Sequence, residues 1–377
     1  MSSTNVHKTS SFVKSRFIDL MLSDEFALSR LGLSRKEMRQ ESTRSLLDVE
    51  AKAAEEKLKQ KATEQEFKIY VSEFFHEQLF EYIEQRVNDS EYLFSELLQF
   101  EDEIPKIFDA CAAKASTASQ FESLISAIPW LKARFIQAIN KPPFREEKSS
   151  KPQVEKVGLA IRYIGIDNTK ILLLSEIAKR WLPHSTEPYS DFKANHWRYS
   201  VATANCMLSL APIYKVNDVV AYFFGLFHGI GISLMLRLYL RAFDTVRVTQ
   251  MKESLKNGRK DIEKVLNEME IDPAFVSEAI NKYSWTITCK LYERLSLRFA
   301  VVLPFAEEMK EKMSFDKASP MTQALLQAKT YSQYKILQKN RLIELDEAKA
   351  FLTHVRINNV IISELNKINL AKIKYSV

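Results

Sequence analysis

Two histidines, a tyrosine and a glycine are the residues of this chain whose types and spacing could do chemistry. His228 lies in the apolar run Tyr222-Phe223-Phe224-Gly225-Leu226-Phe227-His228-Gly229-Ile230-Gly231, and Gly229 follows it directly. His196 precedes Tyr199 by one helical turn, so the two share a helix face. Imidazoles can ligate a divalent ion, provided that carboxylates complete the shell. Asp191 and Asp218 are the unplaced carboxylates for that reading. Plainer readings are favoured: His228 as a histidine hydrogen-bonded within a helix bundle, and His196 as a partly exposed helix residue. Gly225, Gly229 and Gly231 either shape a pocket or let helices approach and end, and the packing role is preferred.

Other chemistries find little support. Cys206 lies beside Met207 on an apolar helix with no base to activate it, and Cys111 and Cys289 also fall in apolar patterns. Three such cysteines are expected to be buried free thiols in a reducing cytoplasm. There is no glycine-rich phosphate loop and no distinctive Ser-His-Asp order. The net charge of +6 arises from 54 basic and 48 acidic residues. Such a mixture implies solvated helix faces laced with ion pairs, so nucleic acid is not an expected partner. The N-terminus lacks the apolar core of a signal peptide.

The elements that must position these residues are helical. Only 7 glycines and 11 prolines in 377 residues leave little turn chemistry, and 46% hydrophobic content suffices for a core. The fold class is therefore all-α. Short helices are expected before residue 40, and a long Ala/Glu/Lys/Gln-rich one from about 44 to 85. Pro105 and Pro129 open helices, Ser119 is a candidate cap, and Asn140-Lys141-Pro142-Pro143 stops a helix. Gly165 is expected as a left-handed C-cap, with Asp167 or Asn168 capping the next helix. Two central helices follow, Phe192 to about Leu210 and Asn217 to about His228. Further helices are expected near 230–243, 258–270, 273–285, 287–313, 319–337 and 344–370. The run Val219 to Leu236 is long enough to span a membrane, but His228, Gly229 and Gly231 favour a break between two buried core helices, so no membrane is expected.

Three separated segments resemble the HDOD domain, a helical signalling module related to HD phosphohydrolases. Leu124-Ile125-Ser126-Ala127-Ile128-Pro129-Trp130-Leu131, leading to Asn140, is similar to the family's Ile-Ile-x-x-Asp-Pro-x-Leu, with Ile128 in the usual aspartate's place. Ala160-Ile161-Arg162-Tyr163-Ile164-Gly165 is similar to Ala-Ile-x-x-Leu-Gly. His196-Trp197-Arg198-Tyr199-Ser200 and Phe223 to Gly231 resemble Trp-x-His-Ser and Phe-x-x-Gly-Leu-Leu-His-Asp-Ile-Gly. The resemblance implies an HD-like helical bundle over residues 96–305, flanked by helical extensions at 1–95 and 306–377.

The resemblance also implies how the site has changed. Tyr199 stands where the first histidine ligand would be, and its phenol stays protonated near neutral pH. Gly229 stands where the His-Asp carboxylate would be, while His228 is retained. Loss of two ligands implies a non-catalytic, cytoplasmic bacterial regulator with no cofactor and no metal. It would act by binding a protein partner or small signalling ligand, with a homo-oligomer contact possible through the extensions. The alternatives are a divergent metal-dependent phosphohydrolase using His196, His228 and Asp191 or Asp218, and a nucleotide sensor without turnover.

Overall fold

The computed structural model describes residues 3–31, 48–146, 152–373 and 375, with side chains from residue 6 onward and, in the second segment, from residue 63. Seventeen α-helices and no strand occur among the described residues. The N-terminal part carries α1 (Ser3–Leu22), α2 (Asp24–Ser29) and α3 (Asp48–Asn88). A π-helical turn, Tyr92–Leu98, leads to α4 (Ile104–Ala112), α5 (Ala118–Ala127), α6 (Pro129–Ile139), α7 (Val157–Ile164) and α8 (Ile166–Arg180). The centre is α9 (Phe192–Tyr214), α10 (Asp218–Phe227) and α11 (Ile230–Lys256). Around it run α12 (Lys260–Glu268), α13 (Pro273–Leu295), α14 (Leu303–Lys310), α15 (Pro320–Lys339), α16 (Leu345–His354) and α17 (Asn359–Leu365).

Local chemistry sets the boundaries that matter. Pro105, Pro129, Pro273 and Pro320 sit in first turns, where the missing N–H costs nothing. Thr117, not Ser119, caps α5 by accepting from the Gln120 N–H, because the helix starts two residues earlier than a Ser119 cap would place it. Gly165 ends α7 and also opens α8, at φ 80 and ψ 167. That conformation is extended in the mirror sense rather than left-handed helical, and because α8 begins at Ile166, Asp167 and Asn168 lie inside its first turn and neither is its cap. Asn168 instead returns its amide to the Ile164 carbonyl.

Other boundaries differ where tertiary burial overrides local pattern. The first helix runs twenty residues, because Val13, Phe17, Leu20 and Met21 give it a continuous buried stripe. The helix expected at 230–243 continues to Lys256, and those expected at 273–285 and 287–313 merge through Trp285 into α13 before breaking at Ser296. The helix expected at 344–370 is two, separated by Val355 and by Arg356 at φ 54.

The core is continuous from Val13 on α1 to Leu365 on α17. Its axis is α9, which packs along α10 on one side and along α15 on the other, while α11 packs on α13, α12 and α3. Helix α1 lies against α16. Buried Arg16 fixes this contact, donating to the Leu342 carbonyl at 2.7 Å and to both Glu347 carboxylate oxygens at 2.7 and 2.8 Å. The run Asp218–Lys256 is long and apolar enough to cross a membrane, with mean hydropathy 1.9, yet 89% of that window is buried inside the bundle.

Candidate functional site

Helix α9 ends at Lys215, which takes the left-handed conformation at φ 54, and Asn217 then caps α10 by accepting from the Val220 N–H at 2.9 Å. This short turn sends α10 back along α9. Gly225 lets the two backbones close up: a Cβ there would stand 2.8 Å from the Ala204 Cα. The consequence is that His228, at the end of α10, arrives level with His196 and Tyr199 on α9. Gly231 then opens α11 against α13, where a Cβ would run into the Ser284 carbonyl and its N–H instead meets the Thr288 hydroxyl at 3.2 Å.

The four residues singled out by sequence are brought together, all inside the protein. His228 is 3% exposed, and the ring edge of Tyr199 approaches it with centroids 4.9 Å apart. The His228 Nδ1–H donates to the Gly225 carbonyl at 2.7 Å, which fixes the tautomer and leaves the Nε2 lone pair without a partner. His196, expected to be partly exposed, is 3% exposed. Its face of α9 is covered by the α10–α11 corner, and its Nε2–H donates to the Gly229 carbonyl at 2.8 Å, leaving Nδ1 unpartnered. Gly229 has φ −92, which any residue adopts; a Cβ there would lie 3.2 Å from His196 Nε2. The histidine therefore occupies the space toward which a side chain at 229 would project.

Electrostatics hold both imidazoles neutral. Burial pushes His196 down to about 4, only partly opposed by its bond to Gly229. Burial, followed by the positive charge of Lys329, pushes His228 down to about 3. Burial raises the Tyr199 phenol well above its usual range, and its oxygen accepts from Gln333 Nε2 at 3.2 Å. Phe17 of α1 closes the site with its ring 4.7 Å from Tyr199.

A divalent cation does not fit these residues. Among the described residues no group of three or more His, Cys, Asp and Glu side chains converges to hold one. Asp218 is exposed at the far end of α10, about 15 Å along the helix from His228 at 1.5 Å per residue. Asp191 is exposed just before α9, beside a cavity of about 230 Å³ that it shares with Phe17 and Arg198. Lys329, the group that acts on His228, is itself lowered by burial to about 7; it is cationic or neutral but never anionic, so it supplies none of the negative charge a metal needs. The three cysteines are buried and free, and burial raises their thiols, Cys111 and Cys206 to about 12. All three are unreactive packing residues.

Sequence motifs missed the contribution of α15 and α1. Gln333 and Lys329 come from a helix whose Gln327, Thr330, Ser332 and Gln333 are all buried. Polar residues on a core-facing stripe are a readable signal, but they point to no partner until the helix is placed. Also unforeseen is a cavity of about 660 Å³ where the C-terminal tail crosses α6, α8 and α9, lined by Arg134, Lys141, Glu176, Lys179, Trp197 and Tyr375. Buried Asn205 holds that tail by donating to the Asn369 and Lys372 carbonyls at 3.0 and 2.8 Å.

An all-helical bundle of HD type, with buried His228 at its centre and Gly229 beside it, is what the fold defines. The HDOD domain model matches residues 97–285, half of the chain, and the chain belongs to that family. No curated protein matches it. A crystal structure from Shewanella amazonensis SB2B, described as a candidate metal-dependent phosphohydrolase, is similar at 16% identity and a TM-score of 0.44. The match covers 77% of this chain and 99% of that one, and a likeness this remote carries nothing about chemistry.

Proposed function

We propose that this chain is a non-catalytic regulatory HDOD protein, a soluble bacterial signalling component of the cytoplasm that acts by binding a protein partner or small ligand. The observation that carries this reading is the packing at His228. A neutral imidazole lies against a protonated phenol, with no carboxylate beside it and the Lys329 amine nearby. A hydrolase of this type needs an ion to acidify water and neutralise a phosphate, and these residues offer two lone pairs and no anion. What survives is a rigid helical body whose extensions are welded into the same core. Such a body suits recognition. The test is turnover: purified protein with manganese, iron, magnesium or zinc should leave nucleotides and cyclic dinucleotides intact. Metal-dependent hydrolysis that disappears in His228→Ala would overturn the proposal.

The divergent hydrolase has one observation in its favour, the unpartnered lone pairs on His196 Nδ1 and His228 Nε2. Imidazoles left so are sometimes ligands in waiting. Their depressed basicity argues the other way.

A further inference from the structure

We infer that the cavity beneath the C-terminal tail is a binding site for a small aromatic anion, a flat ring carrying a phosphate or a carboxylate. At about 660 Å³ it has the size of a small-molecule site. Glu176, Leu172 and Val201 are its buried lining residues, and the rings of Phe144, Trp197 and Tyr375 are half-buried around it. Arg134, Lys141, Lys179 and Lys372 complete it with basic groups. The walls are held in place. After α6, Asn140 accepts from the Val154 N–H at 2.9 Å and donates to the Val154 carbonyl at 2.8 Å, and the Tyr163 hydroxyl donates to the Phe144 carbonyl at 2.9 Å. The tail, tied by Asn205, brings Tyr375 edge-on to Phe144 with centroids 4.6 Å apart.

Charge decides the sign of the ligand. A lone buried carboxylate would repel an anion, but both Glu176 oxygens are engaged, one by Lys179 at 2.6 Å and the other by Arg134 at 3.5 Å. Lys179 is fixed a second time, its Nζ lying 5.3 Å from the centre of the Trp197 ring. Lys141 and Lys372 have no acidic partner among the described residues, so four basic side chains share the cavity with one carboxylate. A concave surface of one sign concentrates counter-ions. The three rings then select the body of the ligand, since they offer a flat molecule an aromatic surface, while arginine and lysine give its acidic group charge-assisted hydrogen bonds. Burial, followed by Tyr222 and Glu176, raises the Tyr375 phenol above its usual range, so it stays a protonated donor.

The cavity is separate from the centre of the bundle. Trp197 and Val201, four residues apart on one face of α9, belong to it, whereas Tyr199 turns to His228. Lys372 and Tyr375 lie outside the family match, which ends at residue 285. A bound anion would therefore tie the tail to the family domain through α6, α8 and α9. This goes beyond the reading of the chain as a regulatory protein, and it holds whether or not the centre of the bundle performs chemistry.

The test is isothermal titration of the full chain, without added metal and at an ionic strength set by chloride, with AMP and with indole-3-acetate. Adenosine and inorganic phosphate separate the ring from the acid. Saturable binding of at least one aromatic anion is expected, with adenosine and phosphate weaker by about tenfold or more, and the better of the two anions shows whether phosphate or carboxylate is preferred. Lys141→Met with Lys372→Met should weaken binding about tenfold or more, since a charge-assisted contact is worth about that much. Both lysines are exposed, so this variant should fold as the parent does, and Lys141→Arg with Lys372→Arg should restore most of the affinity. Ligand should alter the tryptophan fluorescence of the parent but not that of Trp197→Phe, in which calorimetric binding persists. No saturation by either anion at millimolar concentration overturns the proposal. So does equal affinity in the Met variant, equal affinity for adenosine or phosphate, or a fluorescence response that survives Trp197→Phe. Hydrolysis of AMP on adding metal would leave this site standing and sink the non-catalytic reading.

Discussion

Acid should unfold this protein through its two buried imidazoles. In the unfolded chain both His196 and His228 titrate near 6.5, whereas in the folded protein they stay neutral down to about 4 and about 3. The folded values are the lower ones, so below pH 6.5 the unfolded chain binds more protons, and stability falls with falling pH. Above that pH the two groups make no demand. Between pH 7 and pH 5 each imidazole then lowers stability by about 2 kcal/mol, roughly 4 kcal/mol for the pair. This is a large share of the total stability of an ordinary domain. Urea unfolding followed by circular dichroism at both pH values measures the change, and other titrating groups cancel on comparison with variants. His196→Gln and His228→Gln should each reduce the pH-dependent loss by about 2 kcal/mol, whatever they do at pH 7. A parent and variants with the same difference between pH 7 and pH 5 would refute the burial argument.

Close helix contacts give further expectations. Gly231→Ala drives a methyl into the Ser284 carbonyl on α13 and should cost about 3 kcal/mol, read as a lower urea midpoint at unchanged slope. Gly165→Ala meets no neighbouring atom, so its cost of about 2 kcal/mol should come from the backbone at φ 80 alone. Arg16→Met strands the Glu347 carboxylate and the Leu342 carbonyl between α1 and α16; a loss of about 3 kcal/mol is expected, and proteolysis should then begin in α1. Gly229→Asp should leave the protein unable to hydrolyse phosphate esters in any metal, because Tyr199 still cannot ligate. A gain of turnover would show that one carboxylate is all the site lacks.

How far the sequence was legible follows from where the information sits. Helices marked by proline starts and a glycine-poor sequence were readable, as was the corner at His228-Gly229, because local chemistry writes those features. The pairing of Tyr199, His228 and Gly229 was also legible, through motif order along the chain. Burial of His196 was not: a polar residue among Lys193, Asn195 and Arg198 reads as surface until α10 and α11 cover it. Lys329 and Gln333 were invisible for a related reason, since they lie more than a hundred residues from the motif they complete. The merging of two expected helices into α13 through Trp285 reflects tertiary packing that no local stop signal opposes.

The central question is whether the middle of this bundle can grip a divalent ion. The most direct measurement is metal content of untagged protein after equilibration with manganese, iron or zinc and gel filtration, beside a His228→Ala control. Both proteins should emerge with the same trace amounts. One tightly held ion per chain in the parent, absent from the control, would contradict that expectation.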